Sequence, residues 1–166
     1  MLPAAFTVSE AGVEIIPSEE DQLTRVRDPS FAPETSVVLG LGGGLNSALN
    51  PSGSSESSVE WLHRGVNDFE LKVNTTDARV LVISQMYYPG WKATIDSNSV
   101  PVVPANYALT AIHVPAGNHK VHFEYAPLSI RLGALLSALS LIAIAGMAVF
   151  SRKRQAVSVP GDEATE

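Results

Sequence analysis

The sequence predicts a mainly β protein: an antiparallel β-sandwich extracytoplasmic domain followed by one C-terminal transmembrane α-helix. Two observations carry this. Several short stretches between Asp68 and Tyr125 alternate apolar and polar residues with a period of two, and turn residues separate them. Close behind them, Leu132 to Phe150 reads LGALLSALSLIAIAGMAVF, 19 residues without a charge. As a helix that run is about 28 Å long, close to the roughly 30 Å hydrocarbon core of a bilayer. A soluble core helix is the alternative, but such helices are seldom apolar on every side.

The β elements follow in chain order. Phe6–Ser9 and Val13–Ile16 are short β-prone stretches. Ser18 then offers an N-cap, and Glu19, Glu20 and Asp21 sit at the positive end of the helix dipole. Leu23 and Val26 give that helix a small apolar stripe, and Asp28-Pro29 stops it. Ser36–Leu39 is a further strand. Gly40 to Ser58 is a Gly/Ser/Asn-rich flexible loop, and its GLGGG lacks the Gly-Lys-Ser/Thr of a phosphate loop. In Asp68–Asn74, Phe69, Leu71 and Val73 face one way, and Glu70, Lys72 and Asn74 face the other. Arg79–Gln85 is continuously apolar through Ile83, as a central strand would be. Trp91–Ile95 alternates, Asp96 to Ser99 turns, and Val100–Val103 extends again. Tyr107–Val114 and His119–Tyr125 are the last strands, with a turn at Pro115 to Asn118.

Charge and composition narrow the function. The net charge is −6, and all of it lies in the first 131 residues, with eight basic and fourteen acidic side chains. This speaks against nucleic acid as a partner. There is no cysteine, hence no disulfide and no thiolate metal site. His119 and His122 are three apart on a strand and face opposite ways, while His63 and His113 are isolated, so no metal site is expected. The acids at 19–21 read as a helix start, and no Gly-x-Ser-x-Gly elbow occurs. Neither catalytic residues nor a cofactor are assigned. Asn74-Thr75-Thr76 has the form of a glycosylation sequon but also of a plain turn.

Topology follows from the flanks of the apolar run. Arg131 sits at one edge and Arg152, Lys153 and Arg154 at the other, so the basic cluster belongs in the cytoplasm and residues 1–131 outside. The N-terminus, MLPAAFTVSEAGVEIIP, has neither a basic nor an apolar signal region. The expectation is therefore a C-terminal portion of a longer polytopic protein, whose upstream transmembrane helices deliver the domain. A tail-anchored protein would leave the basic cluster on the wrong side. Gly133/Ser137 and other small residues in the helix suit packing on sister helices, or are ordinary membrane-helix composition. The organisation expected is a domain over 1–126, a juxtamembrane and transmembrane helix over 127–150, and a cytoplasmic tail over 151–166. The protein would sit in the cell membrane and cross it once.

Tyr87-Tyr88-Pro89-Gly90-Trp91-Lys92-Ala93 is the most distinctive stretch. With Asp96, the segments Val103 to Leu109, Val114 to Gly117 and Phe123 to Pro127, it resembles the C-terminal region of the YfhO-like bacterial membrane proteins. Leu2 to Phe6, Asp28 to Phe31 and Val37 to Leu39 are similar too. Two departures stand out: Asp96-Ser97-Asn98 where the family commonly has Asp-Gly, and Ala4 where it usually carries Arg. Asn98 is able to take the left-handed conformation such a turn needs. The resemblance implies a large polytopic protein, similar in architecture to membrane glycosyltransferases that use lipid-linked sugars, and implicated in glycosylating cell-envelope polymers. The catalytic acids of that architecture lie in early loops that this chain lacks. The chain would then be a non-catalytic accessory domain and membrane anchor. Its partners would be the lipid bilayer, the upstream helices and an envelope glycan or lipid-linked sugar. A membrane-tethered carbohydrate-binding or adhesion module acting alone is the alternative. The candidate contact residues are Tyr87, Tyr88, Trp91, Asn106 and Tyr107, since exposed aromatic rings can stack on sugar faces. A structural role competes, because Trp91 shares a face with Ala93 and Ile95, and Pro89-Gly90 supplies a bend.

Overall fold

In the computed structural model, residues 4–40 and 56–157 are described. Most of the predicted loop 40–58, the Leu2-Pro3 start of the resembling segment and residues 158–166 lie outside the described residues. By contacts, the chain divides into two compact units, Met1–Ala126 and Pro127–Glu166.

The first unit is built from eleven strands and one α-helix among the described residues. They run β1 (Ala5–Ser9), a 3-10 turn (Glu10–Gly12), β2 (Val13–Ile15), α1 (Glu19–Arg27), β3 (Val37–Leu39), β4 (Ser57–Arg64), β5 (Asp68–Thr75) and β6 (Arg79–Met86). Then come β7 (Trp91–Ile95), β8 (Asn98–Val100), β9 (Val103–Ala105), β10 (Leu109–Val114) and β11 (Gly117–Tyr125). One sheet has the order β1-β6-β10-β9-β3-β2 and the other β4-β5-β11-β7-β8. Every pairing is antiparallel except β2 with β3, which is parallel. The first sheet is thus mixed, not purely antiparallel as expected. β2 reaches β3 through α1 and the turn after it, a crossover long enough for a parallel pair.

Period-two patterning decides which side chains meet. Phe69, Leu71 and Val73 of β5, Ala93 and Ile95 of β7, and Val121 and Phe123 of β11 form one apolar cluster. Leu81 and Ile83 of β6 and Ile112 and Val114 of β10, from the other sheet, complete it. The alternate residues Val80 and Val82 belong to a second cluster with Phe6, Val8, Val37, Leu39, Ala105 and Ala111. The continuous apolar run in β6 therefore has a cause: both its faces are covered.

The helix α1 starts as its sequence requires, with Ser18 Oγ accepting the Asp21 N–H at 3.4 Å. It ends before Pro29, with Asp28 already extended. Its buried residue is Gln22, not Leu23 or Val26. The Gln22 amide donates to the Ile16 carbonyl at 2.7 Å, which satisfies the polar group that packing covers.

Three boundaries differ from the sequence reading. The strand β4 takes in the last two residues of the expected loop and six that the pattern left unassigned, because only Val59 and Trp61 turn inward and a bulge between Trp61 and His63 breaks the alternation. The predicted strand Val100–Val103 is two strands in different sheets, parted at Pro101, which has no N–H to give to a ladder. The strand after it begins at Leu109 instead of Tyr107, since Asn106 and Tyr107 have φ of 48° and 71°. The turn after β7 also differs in detail. Asp96 and Ser97, with φ of 49° and 74°, are the left-handed pair, and Asn98 opens β8. Positive φ at both central residues is the type I′ hairpin requirement.

The second unit holds α2, Leu128–Val157. It begins four residues before the predicted span and continues through the basic cluster at 152–154. Leu128–Met147, 20 residues, is long and apolar enough to cross a membrane. Ser140 turns its hydroxyl back onto the Leu136 carbonyl at 2.9 Å, so its polarity is satisfied within the helix.

Candidate functional site

The predicted contact residues gather at one end of the β domain. Strand directions place the end of β6, the starts of β5, β7 and β10, and the end of β11 there. The Tyr87–Gly90 link joins the two sheets at this end. The Tyr87 N–H donates to the Ala108 carbonyl at 2.8 Å, which ties this link to the Asn106–Ala108 turn. Gly90, at φ 120°, turns the chain into β7. Its carbonyl accepts from the Ala126 N–H at 2.9 Å, and the Tyr125 N–H donates to Asn67 at 2.7 Å.

A continuous aromatic run crosses the second sheet here. Its ring centres are 5.6 Å apart for Trp61 and Phe69, 5.4 Å for Phe69 and Trp91, 5.3 Å for Trp91 and Tyr125, and 6.3 Å for Tyr125 and Tyr88. The inner neighbour Phe123 stacks on Phe69 at 4.7 Å. Register explains the order: Phe69 lies opposite Phe123, and Trp91 opposite Tyr125. At the far edge the Arg64 guanidinium sits 3.9 Å from the Trp61 ring centre. Residues three apart on a regular strand face opposite ways. The bulge at Leu62 restores a common face and permits this cation–π contact.

The five predicted residues play different parts in this arrangement. Trp91 is half-buried and packs against the core. Tyr88 is exposed and Tyr87 is half-buried. Tyr107 is exposed and held at positive φ, a costly conformation for an aromatic residue. Asn106 is buried. Its Oδ1 accepts the Val38 N–H at 2.8 Å while its own N–H donates to the Val38 carbonyl at 2.8 Å. Its amide thus extends the ladder of β3. Trp61, Phe69 and Tyr125, with Arg64 stacked at its edge, belong to the run but were not among the predicted residues. Tyr125 was legible as the residue sharing a face with Phe123; Trp61 was hidden by the bulge beside it. A cleft of about 220 Å³ opens beside Trp61 and Arg64, bounded also by Ala4, Gly65, Phe69 and Ser84.

The opposite end of the domain is polar. Asp96 Oδ2 lies 2.6 Å from His119 Nδ1, its Oδ1 accepts the Lys120 N–H at 2.9 Å, and His119 Nε2 lies 3.2 Å from the Ala116 carbonyl. Two acceptors face the two ring nitrogens, an arrangement that suits the imidazolium. The hydrogen bond to Asp96 is the main reason the His119 pKa is raised, and the same bond lowers that of Asp96. Buried Glu10 pairs with His113 at 2.9 Å. On the outer face of the second sheet, Lys120 holds the Glu70 carboxyl below its usual pKa. His119 and His122 do face apart, one toward Asp96 and the other toward Glu70. Among the described residues no three His, Asp or Glu side chains converge as a metal would require.

The arrangement offers stacking surfaces and one stacked cation. Comparison with known proteins bears on its setting. The family description "Bacterial membrane protein YfhO" matches residues 52–137, more than half of the chain. This chain belongs to the YfhO family. The matched region takes in β4 to β11, hence the whole second sheet and the aromatic run, and ends inside α2. Family and apolar helix together make this a membrane-protein chain. No curated protein and no solved structure matches it.

Proposed function

We propose that this chain is the non-catalytic, extracytoplasmic accessory domain and anchor of a polytopic YfhO-family protein. In this reading the parent protein acts in glycosylating a cell-envelope polymer, and the β domain holds the acceptor or a lipid-linked donor near the membrane. One observation carries the reading: the YfhO match runs unbroken from before β4 into α2. The family region thus takes in β4 to β11 and the first ten residues of α2, which supports a domain working at the membrane surface. The two sheets read as a β-sandwich, supported by an apolar cluster drawn from both. The sidedness rests on the basic residues Arg152, Lys153 and Arg154 staying in the cytoplasm. The sugar contact rests on the aromatic run, whose outermost ring, Tyr88, is 61% exposed. That exposed ring also favours the second reading, a tethered carbohydrate-binding or adhesion module acting alone.

The test is protease protection of the full chain in membrane vesicles, coupled to analysis of envelope sugar. Right-side-out vesicles should lose the β domain to external protease and inside-out vesicles should keep it; the reverse pattern refutes the sidedness. In cells, Tyr88→Ala at unchanged protein level should lower the sugar content of the envelope polymer. An unchanged content would remove the aromatic run from the reaction.

A further inference from the structure

Six large apolar side chains of the β domain are exposed among the described residues: Ile15, Leu62, Val66, Met86, Tyr88 and Tyr107. Scattered singly, they would need no explanation. They are not scattered. Val66, Met86, Tyr88 and Tyr107 lie at the end of the domain where β11 finishes: in the β4–β5 link, at the end of β6, in the Tyr87–Gly90 link and in the Asn106–Ala108 turn; Leu62 lies two residue pairs further in on β4, and Ile15 on the edge strand β2 is level, through Leu39 and Ala105, with Leu109. Val66 is 95% exposed and Met86 69%. The opposite end presents the 76–78 link, Asp96-Ser97 and Pro115-Ala116, without an exposed large apolar side chain among the described residues.

The covalent chain supplies the occupant. Tyr125 ends β11 at this rim, and Ala126 and Pro127 alone precede Leu128, the first residue of the apolar helix. Three peptide steps reach at most about 10 Å, and the helical residues Leu128 to Arg131 add about 6 Å before the uncharged run begins at Leu132. The interfacial layer of a bilayer is roughly 5–8 Å deep on each side. If α2 enters lipid, the rim is tethered within reach of the headgroups. Tyrosine favours that level, with its ring in the apolar boundary and its hydroxyl in water. Arg64, stacked on Trp61 beside the rim, adds a cation for the lipid phosphates. We infer that Val66, Met86, Tyr88 and Tyr107 form a lipid-docking rim that seats the β domain in the headgroup layer of the same bilayer that α2 crosses, the level at which Tyr88 would meet the sugar of a lipid-linked donor. The inference rests on the reading of α2 as a span.

The chain has no cysteine, so single labels can be introduced cleanly. Val66→Cys, Met86→Cys and Tyr88→Cys on the rim, Ser97→Cys at the far end and Leu139→Cys in α2 would each carry a nitroxide. The full chain is reconstituted in vesicles of phosphatidylcholine and phosphatidylglycerol, and collisions with oxygen (lipid-soluble) and a nickel chelate (water-soluble) are measured. The expected result is a Leu139 label in lipid and a Ser97 label in water. The three rim labels should collide with nickel several-fold less, and with oxygen more, than the Ser97 label, independently of protein density. A Leu139 label outside lipid would overturn the span, and the rim with it. A Leu139 label in lipid with rim labels as wet as Ser97 would overturn the rim alone. Rim labels shielded from both probes, or shielded only at high protein density, would mean a protein surface or a second copy covers them, and lipid docking would fall.

Discussion

Replacing Asn106 removes a hydrogen-bond acceptor and a tolerated backbone conformation together, and three substitutions separate the two. The Val38 N–H ends on Asn106 Oδ1 at 2.8 Å, and Val38 is 0% exposed, so water cannot take over. A buried donor left unpaired costs about 1–3 kcal/mol. The φ of 48° adds about 1–2 kcal/mol for a residue with a Cβ and no compensating local bond. Asn106→Ala should therefore cost about 2–5 kcal/mol, and Asn106→Gly, free of the conformational part, about 1–3 kcal/mol. Asn106→Asp keeps an acceptor and, at a pH low enough to keep its buried carboxyl neutral, should fall nearest the parent. The assay is denaturant unfolding of the full chain in detergent micelles, followed by tryptophan fluorescence. Both tryptophans, Trp61 and Trp91, lie in the β domain, so the signal ignores the apolar helix. Equal midpoints for the alanine and glycine variants would refute the conformational argument. Parent-like midpoints for both would refute the hydrogen-bond argument as well.

Two further outcomes follow from the geometry. A Cβ at Gly12 would sit 1.9 Å from the Thr35 carbonyl oxygen and 2.9 Å from Val8 Cγ1, so Gly12→Ala should destabilise by about 1–3 kcal/mol or more, read as a lower urea midpoint. The Asp96–His119 pair should make stability depend on pH on both sides. The raised His119 pKa gives stability that is full below about pH 6.5 and is lost as pH rises through the folded value; the lowered Asp96 pKa gives stability that is full above about pH 4 and is lost as pH falls through its folded value. Asp96→Asn keeps an acceptor for the Lys120 N–H but loses the charge. Its deficit against the parent should be widest between those limits and shrink toward alkaline pH, and the His119 pKa read by NMR should drop. A His119 pKa that does not move would rule the pair out as the cause.

The parts of the fold that were legible in sequence are those where local pattern and tertiary demand agree. The alternation of Phe69, Leu71 and Val73 marks a half-covered strand, and Ser18 with its acids marks a helix start; both stand in the structure. The illegible parts depend on contacts distant in sequence. Asn106 reads in sequence as a candidate contact residue; that β3, almost 70 positions earlier, uses its amide is visible only in the structure. β4 is disguised by its bulge, and that same bulge brings Arg64 over Trp61. Pro101 cuts an apolar run that pattern alone joins. At the candidate site, Tyr88 and Trp91 come into one aromatic run, but its other members are set by cross-strand register, which no local window contains.

Because β6 and β10 each give alternate side chains to the two apolar clusters, neither cluster can loosen without disturbing the other. Opening one face of these strands takes away the support on which the second face packs, so the domain should melt as a single cooperative block. Amide protons of Val80 to Ile83 should then be the last to exchange with heavy water, and their exchange should report the global unfolding free energy.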